Sequence, residues 1–238
     1  MNETNNTENN IVKKSAVHDG ILLVDKQQEW TSFDVVAKLR NVLRTKRMGH
    51  AGTLDPNATG LLIVLVGRAT KLSETLTGHD KEYYARLRLG TVTDTQDIWG
   101  NVTGGNPEAA ETVTNENIRM VLDGFRGETD QIPPMYSAIK IKGERLYNIA
   151  RRGGEVERKP RHIRVEALEL LERDGNELSI RVECSSGTYI RTLCHDIGAA
   201  LGCGACMTEL RRTRIGDYRV EDAHRIEEIK DGEFIIGI

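Results

Sequence analysis

The chain has 238 residues, enough for one large domain, and a formal net charge of −3, which excludes a protein that coats nucleic acid through bulk positive charge. Hydrophobic residues at 38% and charged residues at 29% match a soluble globular protein. The longest purely aliphatic run has six residues, at 61–66, far short of a membrane span, and four cysteines without a signal peptide fit a reducing cytoplasm, without disulfides.

Residues 1–17 are rich in Asn, Thr and Glu and poor in apolar side chains, and they read as a disordered tail. Residues 18–238 read as a single domain. A buried strand is expected at Gly20–Lys26. Ser32 is placed to cap a helix running to Leu43, with Phe33, Val36, Leu39 and Leu43 on one face. A glycine-rich loop over 49–60 follows, then a strand at 61–66, a helix at 68–76 and an alternating strand at 81–89. Residues 99–114 read as a polar surface connection, and 115–125 as a helix. Pro133 and Pro134 make 130–142 start extended. A short helix at 145–152 stops at Gly153 and Gly154. Strands at 162–171 and 177–184 flank a turn at 174–176. A helix is expected from Tyr189 to Leu201, and another short one at 222–229. Strands and helices mix without βαβ alternation, which predicts an α+β domain with a mixed, mostly antiparallel sheet.

The loop Gly49-His50-Ala51-Gly52-Thr53-Leu54-Asp55-Pro56-Asn57-Ala58-Thr59-Gly60 is the most informative stretch. It presents one carboxylate, Asp55, and Pro56 pushes that residue away from helical geometry. The 14 residues 37–50 carry Lys38, Arg40, Arg44, Lys46 and Arg47 and no acid. A second basic run, 140–164, has nine Lys or Arg against Glu144, Glu155 and Glu157. Each run alone reads as a solvated face; two in an acidic chain point to a phosphate-contacting surface. No P-loop and no dinucleotide fingerprint is present. Cys203 and Cys206 have C-x-x-C spacing without a second pair, so they read as small half-buried thiols, not a metal or redox site.

Several segments, in order, resemble the TruB-type tRNA pseudouridine synthases: Gly20–Lys26; Gly49 to Pro56; Gly67-Arg68-Ala69-Thr70-Lys71; Lys81-Glu82-Tyr83; Gly90 to Thr95; Gln131 to Ala138; Ser186 to Arg191; and Leu210-Arg211-Arg212-Thr213. The resemblance covers about residues 20–216, and the bacterial branch is the nearer match. It implies the pseudouridine-synthase fold, one mixed sheet flanked by helices with a central catalytic cleft. The implied activity is isomerisation of the uridine at position 55, in the T-loop of tRNA. Pseudouridine formation is redox-neutral and consumes no water, so no cofactor and no metal is expected. Little more than 20 residues follow the 210–213 motif, and the second RNA-binding domain of many family members is not expected. The partner implied is the T-arm stem-loop of tRNA, with no membrane, and a monomer is expected.

The same resemblance assigns roles. Asp55 becomes the essential ionised carboxylate; whether it attacks sugar or base, or removes a ribose proton, stays open. Read alone, an Asp before Pro is a turn residue. Arg191 becomes its charge partner, and Tyr83 the ring that stacks on the target base and helps remove the C5 proton. Tyr83 and its neighbour Tyr84 must point to opposite faces of a strand. His50, Tyr189 and Leu210 line the substrate pocket. Lys26 braces the loop, and Asp94 positions a basic residue. Residues 130–155 form an RNA-clasping insertion. Two other readings stand beside the enzyme: a non-catalytic tRNA binder or folding chaperone with the same surface, and a hydrolase with a nucleophilic Asp. Missing metal-binding carboxylates and the missing phosphate loop weigh against the hydrolase.

Overall fold

A computed structural model describes residues 19–141 and 143–238; the expected tail at 1–17 lies outside the described residues. The first half runs β1 (Gly20–Lys26), α1 (Ser32–Val42), β2 (Met48–Ala51), β3 (Thr59–Val66), a 3-10 turn at Gly67–Leu72, α2 (Ser73–Gly78) and β4 (Lys81–Leu89). Two short strands, β5 (Val92–Thr93) and β6 (Val102–Gly104), form a hairpin ahead of α3 (Pro107–Thr112) and α4 (Asn115–Gly124). The second half runs β7 (Gly127–Gln131), β8 (Lys140–Ile141), β9 (Glu144–Arg145), α5 (Leu146–Arg151), β10 (Arg161–Asp174), β11 (Glu177–Cys184), α6 (Ile190–Ala200), β12 (Ala205–Ile215), β13 (Tyr218–Arg219) and β14 (Ile236–Gly237).

Among the described residues, ten strands form one sheet with the main order β14-β1-β3-β12-β4-β11-β10-β7. Every pairing in it is antiparallel except β3 with β12, where Arg211 and Arg212 lie beside Thr59 and Gly60. The expected α+β class and mixed sheet are therefore present. None of the helices is long and apolar enough to cross a membrane.

Why β3 is a continuous apolar run is visible in its packing. Leu62, Val64 and Val66 meet Val35, Val36 and Leu39 of α1 on one face. Leu61, Ile63 and Leu65 meet Ile21, Leu23 and Ala51 on the other. A strand buried on both faces does not alternate. By contrast β4 alternates in full: Lys81, Tyr83, Ala85, Leu87 and Leu89 are buried and the residues between them are not. Its buried face packs with β11 and α6 side chains, such as Ile180, Val182, Leu193 and Ile197.

Four expectations need correction. Val35 replaces Phe33 on the buried face of α1, and Phe33 is 62% exposed. The helix is capped by Thr31, whose side chain accepts from the Asp34 N–H in a capping box; Ser32 bonds the backbone of Leu54 in the loop that carries Asp55 instead. The helix expected at 222–229 is absent: His224 pairs with the backbone of Leu23 and Asp25, and this extends the chain along β1. Residues 99–114 are a surface stretch, as read, but they hold β6 and α3, where Asn106 caps the helix just before Pro107. Several strands went unread, β2, β7 and the central β12 among them.

Candidate active site

Asp55 sits in the turn between β2 and β3, where the Ala58 N–H donates to the Asp55 carbonyl (3.1 Å). Three neighbours fix that turn. Ser32 at the start of α1 donates its hydroxyl to the Leu54 carbonyl and accepts the Leu54 N–H (2.9 Å). Lys26, at the end of β1, donates its ammonium to the carbonyls of Gln27, Trp30 and Pro56, the last at 3.0 Å. Arg212, only 1% exposed, lies under the loop and donates to the Leu61 carbonyl (2.8 Å) and the Gly52 carbonyl (3.0 Å). β3 can lie this close to β12 only because residue 60 is glycine. Its φ is +98°, and a Cβ there would stand 2.2 Å from the Arg212 carbonyl oxygen.

Arg191 comes from the first turn of α6. Its Nε lies 2.9 Å from Asp55 Oδ2, with the arginine side chain 7% exposed and the carboxylate 43% exposed. Its remaining nitrogens are occupied: Nη1 donates to the Thr95 carbonyl (3.0 Å) and lies 3.5 Å from Asp97 Oδ2, and Nη2 donates to the Tyr136 carbonyl (2.9 Å). A guanidinium clamped at every edge is rigid, and it holds Asp55 in one orientation at the mouth of the site.

Asp97 is the residue that sequence reasoning missed. The motif read there ended at Thr95 and singled out Asp94, which instead accepts from the backbone and side chain of Asn101 and closes the turn. The carboxylate facing Arg191 is that of Asp97, three residues on. Burial pushes the Asp97 carboxyl above its ordinary value, against the Thr95 hydroxyl and the Arg191 charge, which pull it down. Between the two acids Gln96 takes a left-handed backbone, φ +64°. That conformation is held by the Thr192 hydroxyl, which donates to Gln96 Oε1 (2.8 Å), and by the Met207 N–H on the Gln96 carbonyl (3.0 Å). A charged residue two positions past a motif carries no signal of its own, which is why it escaped notice.

Tyr83 lies on the buried face of β4, Tyr84 on the other, as alternation requires. Its cross-strand partner on β12 is Arg212. Tyr83 packs in one cluster with Leu54, Ala58, Ile190 and Leu210, so three elements of the sequence motif converge on it. Burial raises its phenol above the ordinary value, with Arg212 opposing, so the hydroxyl is a neutral donor. Leu210 is buried in the same cluster. Tyr189 caps α6, and both its backbone N–H and its carbonyl are bound by the side chain of Gln131 (2.8 and 3.0 Å). His50 is in β2, not in a loop, one strand residue from the turn; Ser73 donates to its carbonyl, and burial lowers its imidazole below the usual value. Its Nδ1 is buried and finds no partner among the described residues. The structure thus brings Asp55, Arg191, Tyr83 and Leu210 together around the turn, with Tyr189 and His50 beside it.

The basic runs are surface features. Lys38, Arg44, Lys46 and Arg47 are exposed in the first, and Lys140, Arg145, Arg151, Arg152, Lys159, Arg161 and Arg164 in the second. All four cysteines are free and buried, and no group of three or more His, Cys, Asp or Glu among the described residues could hold a metal.

Comparison with known proteins finds similarity along most of the chain. Residues 40–190 match the model of the TruB family pseudouridylate synthase N-terminal domain, and 191–235 that of the tRNA pseudouridylate synthase B C-terminal domain. The junction falls inside α6, between Ile190 and Arg191, so both matched segments build the one site. The chain is 50% identical to tRNA pseudouridine synthase B of Opitutus terrae over 89% of this chain and 87% of that one. It is 47% identical to the Clostridium tetani protein of the same name, over 92% and 76%. Among solved structures, a Cbf5-Nop10-Gar1 complex superposes with a TM-score of 0.69 at 33% identity, over 90% of this chain and 54% of that chain. An H/ACA RNP bound to a substrate RNA containing 2'-deoxyuridine gives 0.66 at 31%, over 89% and 52%. This chain spans about half the length of those two. With matching segments over nearly all the described residues and relatives at half identity, the chain belongs to the TruB family of pseudouridylate synthases.

Proposed function

We propose that this protein isomerises a uridine of tRNA to pseudouridine, the uridine at position 55 in the T-loop, with Asp55 as the essential carboxylate. The observation that carries the reading is the Asp55–Arg191 pair: an accessible carboxylate held by a buried, fully engaged guanidinium, next to a buried tyrosine. The reaction breaks the N1–C1′ bond of the nucleoside, turns the base, joins C5 to C1′, and moves the proton from C5 so that N1 ends protonated. Nothing enters or leaves overall, so the chain's own side chains suffice. Asp55 meets the sugar–base linkage; Tyr83 and Leu210 bound the base, and the neutral Tyr83 hydroxyl is placed to assist at C5.

A stacked target base is reached only by extrusion, which costs a few kcal/mol and is offset by pocket contacts. Exposed bases in both runs hold the phosphates meanwhile. Residues 130–155 serve as the clasp within a single catalytic unit, 18–238. The root of that segment is tied to the site by Gln131 on Tyr189 and by Tyr136 on Arg191. In this reading the protein works as a cytoplasmic monomer. Incubating it with an unmodified T-arm hairpin and no cofactor should yield pseudouridine at one position; a protein that binds the hairpin and makes none is a binder, not an enzyme.

A further inference from the structure

We infer that Trp99 is a stacking platform for an unpaired base of the RNA, beside the nucleotide that enters the Asp55–Arg191 site. The inference rests on the function proposed above. One carboxylate links the two places. Asp97 Oδ2 faces Arg191, while its Oδ1 accepts the Trp99 backbone N–H (3.2 Å). The Trp99 backbone is therefore one carboxylate away from the guanidinium that holds Asp55.

The turn that carries it is rigid. Thr95 donates its hydroxyl to Asp97 Oδ1 (2.7 Å), and the Gly100 N–H donates to the Asp97 carbonyl (3.2 Å). The Ile98 N–H donates to Met207 (2.8 Å) and stitches the turn to β12. On this braced frame Trp99 is 47% exposed, with Val102 also exposed in the same hairpin. In a chain with only two tryptophans and 5% aromatic residues, this half-exposed indole, two residues from the carboxylate that faces Arg191, is a ring of the kind enriched at interfaces. Phe33, the other exposed ring near the loop, differs: the Arg40 guanidinium already lies over it, 5.8 Å from its centre. Among the described residues, no ring or guanidinium stacks on Trp99.

A base swung out of its loop leaves its neighbours with an open face, and an aromatic side chain replaces the lost stack irrespective of base identity. A rigid indole does so with little ordering cost. Removing it should weaken binding about tenfold.

Fluorescence tests this directly. Trp30→Phe leaves Trp99 as the sole tryptophan, and Lys26 bonds only the backbone carbonyl of residue 30. Saturating this variant with an unmodified T-arm hairpin should quench the Trp99 emission. Trp99→Ala in the wild-type background should raise KM about tenfold with kcat within about twofold, and Trp99→Phe should restore most of the loss. Unchanged emission, or an unchanged KM in Trp99→Ala, in a protein that forms pseudouridine overturns the stacking role and leaves the proposed function standing. Quenching by RNA in a protein that forms no pseudouridine upholds the stacking role and overturns that function.

Discussion

Arg191 approaches Asp55 through Nε at 2.9 Å while its two terminal nitrogens are committed to Thr95, Tyr136 and Asp97. Lysine cannot reproduce this, because a single ammonium has no planar fork with which to reach partners on three loops. Arg191→Lys should therefore keep a cation near Asp55 but free its orientation. A misplacement of about 1 Å costs on the order of 100-fold. Single-turnover assays on a T-arm hairpin should show that loss in kcat, with KM changed much less.

The left-handed Gln96 gives a second expectation. Its φ of +64° aims the Thr95 carbonyl and the Asp97 carboxylate at one guanidinium. Gln96→Gly accepts that backbone and should keep turnover within a few-fold, despite the lost Thr192 bond. Gln96→Val resists it, at about 1–3 kcal/mol, and should lower both the thermal midpoint and kcat. Equal behaviour of the two variants in melting and turnover assays would mean that the backbone conformation is unimportant.

Stability should depend on pH through two buried lysines. Burial lowers Lys26 and Lys81 to about 8, from an ordinary value of 10.5. Below pH 8 both are charged whether folded or unfolded, and they contribute no slope. Between about 8 and 9 the unfolded lysines bind more protons than the folded ones, so stability rises with pH in that window; from about 9 upward the four buried thiols, raised by burial from an ordinary value of 9.0, oppose it. Urea midpoints at pH 7.5 and 8.5 measure the gain. Lys26→Met should flatten it, because one of the two titrating groups is then gone.

The basic segment should be shielded by RNA. Exposed Arg145, Arg151, Arg152 and Arg161 are trypsin sites on or after the β8–β9 hairpin and α5. Added tRNA should slow cleavage there severalfold, and raising salt should remove the protection as counterions compete. Cleavage at an unchanged rate with bound tRNA would place the clasp elsewhere.

Much of the fold was legible. The alternation of 81–89 returned β4 with its bounds intact, and with it the side of the sheet on which Tyr83 lies. The apolar run at 61–66 gave β3 but not its start, since Thr59 and Gly60 belong to the strand through pairing, not hydropathy. β12 was illegible for a physical reason. It carries Glu209, Arg211, Arg212 and Arg214, and bulges after Met207 and Arg212 break the period of two. A buried arginine answered by backbone carbonyls of β3 and of the loop before it has no local signature. Asp97 was hidden likewise, because its partner Arg191 lies 94 residues away along the chain. Sequence pattern exposes elements that repeat along the chain; contacts made across it appear only once the chain is folded.

Asp55→Asn is the most direct measurement of the central claim, because the amide keeps the size of the side chain and removes its charge. With an unmodified T-arm hairpin, the variant should bind with an affinity within a few-fold of wild type and form no detectable pseudouridine. Full conversion of the uridine by Asp55→Asn would contradict the account.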